Sequence, residues 1–209
     1  LTQAIQSLNK VNEVVSKRIA DKLNEHFITQ RIYNQPLDKI SKCFQELYPY
    51  KGETLTRIVG QLNDVDIFKE FSEYSLVKIG KTISELSDIN KEKISNLVNN
   101  EKFQQLLLDK LSEEKTVGSI GKIIADLKKA DNDSANSFVA NLSVETLKNL
   151  IPKSSIVELS TFLYNLFCIP EYEDKAISLY LSIPSSTLAT KTLDNNFRIT
   201  NYESCISTL

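Results

Sequence analysis

Ser75-Leu-Val-Lys-Ile-Gly-Lys-Thr-Ile-Ser-Glu-Leu86 and Thr116-Val-Gly-Ser-Ile-Gly-Lys-Ile-Ile-Ala-Asp-Leu127 write one pattern twice, 41 residues apart. The last apolar residue of each serves as an anchor. The same frame returns at Leu8, Leu47, Leu86, Leu127 and Leu166, with spacings of 39, 39, 41 and 39. Seven residues before the anchors stand Leu1, Ile40, Ile79, Ile120 and Leu159; three before stand Ile5, Phe44, Ile83, Ile124 and Leu163. Apolar residues at this spacing lie on one face of an α-helix, here called helix A.

A second amphipathic segment, helix B, follows in the same frame. Eleven residues after the anchors stand Ile19, Ile58, Leu97, Phe138 and Ile177. Twelve after stand Ala20, Val59, Val98, Val139 and Ser178; fifteen after stand Leu23, Leu62, Glu101, Leu142 and Leu181, with Glu101 the exception. About twenty after, Ile28, Ile67, Leu106 and Leu147 predict a short third helix or helical turn, C, and Ser186 breaks the series. Asn12, Pro49 with Gly52, Asn90, Asp131 with Asn132, and Pro170 fall between A and B, where such residues cap or break helices. No stretch alternates with period two, so strands are not expected.

One helical hairpin cannot bury its apolar stripe, but stacked copies bury it against each other. The pattern therefore predicts an all-α chain: a right-handed α-solenoid of about five repeats of about 39 residues, of HEAT or armadillo type. The repeats run over 1–36, 37–74, 75–115, 116–154 and 155–194, with a partial copy at 195–209. Ile199, Tyr202, Ile206 and Leu209 fall where a sixth helix A is due. The tetratricopeptide period is shorter, about 34, and Trp is absent. With no Met and no polar capping repeat at either end, the 209 residues read as a fragment of a longer array. Such uncapped ends predict self-association through their apolar faces.

The composition narrows the function classes. Hydrophobic residues make up 41% and charged residues 25%, enough apolar content for a core and against wholesale disorder. The formal net charge is −2, and only Arg18, Arg31, Arg57 and Arg198 are arginines. That balance argues against nucleic-acid binding as the main role. No apolar run is long enough to span a bilayer and no signal peptide opens the chain. Cys43, Cys168 and Cys205 are far apart and odd in number, which favours a reducing, cytoplasmic setting over a disulfide framework.

Leu76 to Leu97 and Val117 to Leu142, including Ala135-Asn-Ser-Phe-Val-Ala-Asn-Leu142, resemble a helical repeat found in the C-terminal halves of prokaryotic, notably archaeal, multidomain proteins. Many of those are signalling ATPases of the STAND class. The resemblance implies a ligand-sensing or scaffolding array joined to an effector elsewhere, and brings no catalytic residue with it.

The sequence offers no catalytic set, no cofactor site and no metal site. Gly80-Lys81-Thr82 lacks the Gly that a phosphate loop needs five residues before its Gly-Lys pair; Ser75 stands there, and the segment lies within helix A. Gly80 and Gly121 read instead as points of close helix approach. His26 is the sole histidine and reads as a solvated residue at the B–C turn. Paired carboxylates such as Glu113-Glu114 and Asp131 with Asp133 sit by turns, where they favour helix starts.

The candidate partner surface is the polar face of helix B. Ten residues after the anchors stand Arg18, Arg57, Asn96, Ser137 and Ala176; fourteen after stand Lys22, Gln61, Asn100, Asn141 and Tyr180. The two sets are four apart and so share a helix face. Stacked, they would form a ladder able to hold an extended peptide. The expected function is non-enzymatic capture of a protein or peptide. The alternatives are a nucleic-acid-binding solenoid and a structural spacer between effector domains.

Overall fold

The computed structural model describes residues 7, 10–32, 35–169, 172–181 and 183. Among the described residues twelve α-helices follow one another: α1 Glu13–Asp21, α2 Glu25–Ile32, α3 Leu37–Gly60, α4 Asp64–Ser72, α5 Leu76–Ser87, α6 Lys91–Val98, α7 Glu101–Leu111, α8 Val117–Ala130, α9 Asn132–Ala140, α10 Val144–Leu150, α11 Ile156–Phe167 and α12 Glu173–Leu181. A 3₁₀ turn, Ile151–Lys153, follows α10, and no strand occurs among the described residues. The chain is all-α. Helices of type A are the first part of α3, then α5, α8 and α11. Type B comprises α1, the second part of α3, α6, α9 and α12. The third segment is a helix in every described case: α2, α4, α7 and α10.

Polar residues in the turns set the helix starts. Asn12, Asn90 and Asp131 each accept a backbone N–H at the start of a B helix, from Val15, Lys93 and Ser134. Asn24, Asn63, Asn100 and Ser143 do the same for the C helices. Ser155 opens α11 in a reciprocal capping box with Glu158. Pro49 and Gly52 flank the junction of A and B in the second repeat: within α3 the non-helical residue Lys51 (φ −133°, ψ 29°) kinks the chain between the two helices. A proline removes one helix hydrogen bond and crowds the preceding turn, and here a kink absorbs that misfit.

The apolar frame maps onto burial. Leu47, Leu86, Leu127 and Leu166 are all buried, as are Ile40, Ile79, Ile120 and Leu159, and Phe44, Ile83, Ile124 and Leu163. On the B helices Ala20, Val59, Val98 and Val139 are buried. Three details differ from the sequence reading. Leu23, Leu62 and Leu142 lie in the turns after B, not on it. Glu101 opens α7, because the third repeat is two residues shorter between B and C, so a solvated acid at a helix start replaces a leucine there. In that C helix Phe103 and Leu107 are fully buried, while Leu106 is only partly buried. Ile177 and Leu181 in α12 are exposed. Leu1, Ile5, Leu8, Pro170, Pro184, Ser186, Cys205 and the apolar set from Ile199 to Leu209 lie outside the described residues.

Successive A helices make the most extensive contacts: α5 with α8, α8 with α11, and α3 with α5. Both glycines read as approach points lie in these seams. A Cβ on Gly80 would fall 2.6 Å from Asp126 Oδ2, and one on Gly121 would fall 2.8 Å from Phe162 Cα. Gly80-Lys81-Thr82 is helical throughout, so it forms no phosphate-binding loop.

Caps also tie neighbouring B helices together. Asn90 Nδ2 donates to Thr56 O at 2.9 Å, and Ser95 Oγ, 39 residues after Thr56, donates to Asp131 Oδ2. Asn90→Ala therefore removes a cap and an inter-repeat bond together. Its expected cost is about 1–2 kcal/mol, at the upper end for a cap. Asn24→Ala removes only an exposed cap and should cost less; urea unfolding followed by circular dichroism measures both.

Candidate functional site

The ladder residues occupy two kinds of place. Arg18, Arg57, Asn96 and Ser137 stand at matching points on the B helices, and all are exposed. Of the second set, Lys22, Gln61 and Asn141 sit one residue beyond their helices, and Asn100 begins α7. All four are exposed as well. The Tyr180 backbone belongs to α12; its side chain lies outside the described residues. Two of these amides already have local work. Asn100 accepts the Lys102 N–H, and Asn141 Nδ2 donates to Ser137 O at 2.9 Å.

The B face also takes part in joining repeats. Arg57 forms an ion pair with Glu25 of the preceding C helix. Lys93 reaches Asp64 at 2.5 Å, and Gln104 Nε2 donates to Ser134 Oγ at 2.8 Å. Each pair links a C helix to the B helix of the next repeat. Arg18, Lys22, Gln61 and Asn96 have no side-chain bond of this kind among the described contacts, and they form the more open part of the ladder.

Helix A carries a second polar ladder. Five residues before the anchors stand Lys42, Lys81 and Lys122, all exposed; Lys39 and Lys78 precede the first two by one turn. The frame that locates Leu47, Leu86 and Leu127 also locates these lysines, but only when its outward positions are read along with its apolar ones. Two acidic companions one turn later, Glu85 and Asp126, point into the seam instead. Glu85 is buried and accepts the Ser41 hydroxyl, while Lys81 lies 3.8 Å from it with its side chain 69% exposed. Lys78 pairs with Asp38 at 3.1 Å and lies 3.6 Å above the Tyr74 ring, a cation–π contact.

Several ionisable groups are shifted. Burial pushes the Asp38 carboxyl upward, but Lys78, the Tyr74 hydroxyl and Lys39 outweigh it and hold the carboxyl below its usual range. Burial likewise acts on Asp131 and is outweighed by the Ser95 hydroxyl and the N–H groups of the helix start. At Glu158 the Ser155 N–H and the Thr116 hydroxyl lower the carboxyl. Burial, then Glu70, raises the Tyr74 phenol. Each lies within a structural contact between helices.

Surface depressions among the described residues include a small one, of about 370 Å³, beside Gln45, Pro49 and Asp88, and two larger ones. One, of about 760 Å³, opens at the α3 kink beside Tyr48, Pro49, Gly52, Arg57 and Asn90. The other, of about 700 Å³, has an apolar floor of Leu37, Ile40, Ile58 and Ile67 with Glu70 and Tyr74 at its side. In the latter, the Tyr74 hydroxyl donates to Glu70 Oε2 at 2.8 Å. His26 is exposed in the first turn of α2, and Cys43 and Cys168 are half-buried free thiols. Among the described residues no group of three or more His, Cys, Asp or Glu is placed to hold a metal ion, and no helix is long and apolar enough to cross a membrane.

Comparison with known proteins finds no match: no family model fits the chain, and no curated protein and no solved structure is similar to it.

Proposed function

We propose that the chain is a right-handed armadillo- or HEAT-like α-solenoid that captures an extended protein segment and catalyses no reaction. The observation that carries this reading is one seam contact made three times in one register. The residue before an anchor meets the residue six before the preceding anchor: Glu85 with Ser41, Asp126 with Gly80, and Asn165 with Gly121. Repeats joined in a constant register hold their exposed positions in line, so Arg18, Arg57, Asn96 and Ser137 form one row and Lys42, Lys81 and Lys122 another. Rows of spaced polar side chains suit an extended backbone and its side chains. The likeness to STAND-type repeats supports a role as the sensor or scaffold part of a larger cytoplasmic protein.

The test is selection of random peptides on the immobilised full chain. The expected result is a shared consensus whose binding falls at least tenfold when Arg18, Arg57, Gln61 and Asn96 are changed together to Ala. Failure to select any consensus would favour the spacer reading. The Lys42–Lys81–Lys122 row gives a second reading, a nucleic-acid surface. Binding of an oligonucleotide at physiological salt, falling steeply as salt rises, would establish it.

A further inference from the structure

We propose that Lys42, Lys81 and Lys122 dock an acidic peptide segment in polyproline II conformation, with a carboxylate at every third residue. The three lysines hold one place in the frame, five residues before Leu47, Leu86 and Leu127, and all are exposed. Lys39, one turn before Lys42, is exposed too and extends the positive end of the row. The surface rests on the constant seam register, as the solenoid reading does, but it lies on the A helices and is separate from the ladder on the B helices. The A helices are the layer in most extensive contact. At Gly80 and Gly121 the next helix comes so near that a Cβ would collide with it. The lysines therefore ride on closely packed, evenly placed supports.

The positive charge of the row is turned outward and the nearby negative charge inward. Glu85 is buried and accepts the Ser41 hydroxyl, and Asp126 Oδ2 lies against Gly80 of the preceding A helix. Glu46, the corresponding acid of the second repeat, is half-buried. The other acids beside the row are engaged: Asp38 with Lys78, Asp88 with Lys129 and Gln45, and Glu158 with Thr116 and Ser155. Among the described residues Lys42 and Lys122 form no ion pair, and Lys122 feels Asp126 and Glu158 only at longer range. An anionic partner is what this face is short of.

Spacing selects which anion. Packed helices lie about 8–10 Å apart. A polyproline II chain makes one turn in three residues and rises about 3.1 Å per residue, so every third side chain shares one face at intervals of roughly 9 Å. Carboxylates at those places meet one lysine per repeat. A β-strand alternates its side chains and sets every third one on the opposite face. Duplex DNA carries a phosphate about every 3.4 Å along each strand, far denser than one lysine per helix. The next place in the row is Thr161, which is uncharged, so the match extends over three carboxylates.

The probe is a fluorescent nonapeptide, Glu-Pro-Pro repeated three times, titrated with the full chain and read by anisotropy. The salt is held at about 0.1 M, where exposed charges still act over about 10 Å. A control peptide of the same composition has its three Glu side by side. The repeated peptide is expected to bind several-fold more tightly than the control. Changing Lys42, Lys81 and Lys122 together to Gln should weaken it about tenfold, the size of three exposed ion pairs combined. Gln keeps the helix propensity of Lys, and matching circular dichroism spectra check that the variant is folded. The variant with Arg18, Arg57, Gln61 and Asn96 changed to Ala should bind the probe as the unaltered chain does, so the two surfaces can fail independently. No binding, equal binding of the two peptides, or loss in the ladder variant alone would each overturn the proposal. So would a single-stranded oligonucleotide that binds more tightly at the same salt and is lost with the three lysines, which would assign the row to nucleic acid.

Discussion

Gly121→Ala is expected to destabilise the chain by about 1–3 kcal/mol, although alanine is the better helix former by about 1 kcal/mol. The added Cβ would lie 2.8 Å from Phe162 Cα and 3.0 Å from Phe162 N. Both are backbone atoms of α11, so no rotamer change relieves the overlap. Two helices must part along a seam that is fully buried at Ile120, Ile124, Phe162 and Leu166. Parting them also strains the bond from Asn165 Nδ2 to Gly121 O. Gly52→Ala provides the contrast. Its Cβ would meet only the Tyr48 ring, at an ordinary 3.6 Å. That variant should be neutral or gain up to about 1 kcal/mol. Urea midpoints measured at a constant slope decide the matter; equal midpoints for the two variants would remove the close-approach argument.

Phe103→Ala is expected to cost more, about 3–5 kcal/mol. Phe103 is fully buried in α7, with its ring centroid 6.0 Å from that of Phe71 and 6.4 Å from that of Phe68, both on α4. Phe71 in turn meets Tyr74 at 6.0 Å. This aromatic cluster links two C helices, and truncation leaves a hole bounded by side chains from both repeats. Phe103→Leu keeps most of the volume and should cost roughly half as much. If repeats are stabilised chiefly by their neighbours, amide exchange should accelerate first in α4 and α7 and least in α11. Uniform acceleration along the whole chain would instead indicate a single cooperative unit.

The two variants probe parts of the molecule that differed in how readable they were. The A seams were legible because their chemistry is local and periodic: an apolar residue every three or four positions, a glycine where the next helix comes close. Both signals survive in the chain as written. Leu106 misled, and Glu101 stood out as the exception, for an equally local reason. The third repeat drops two residues between B and C, and a frame counted from distant anchors carries that slip forward. Pro49 with Gly52 located the junction of A and B, and the structure shows it as a kink at Lys51.

The candidate surface divides along the same line. The positions of Arg18, Arg57, Asn96 and Ser137 follow from counting. That Arg57 would pair with Glu25, that Asn100 would cap α7 and that Asn141 would turn to Ser137 O depends on which helix end lies nearby, and counting does not give that.

Taken alone, the order of residues determined that the chain is helical, where most helices begin, and which side chains turn inward, because capping and amphipathic spacing act over a few residues. Only the tertiary structure decided which polar groups were used up in joining repeats and which stayed free. Asp126 shows why. Its sequence surroundings resemble those of Glu85, yet one carboxylate meets a hydroxyl and the other a bare backbone, and that difference arises from a helix 46 residues earlier in the chain.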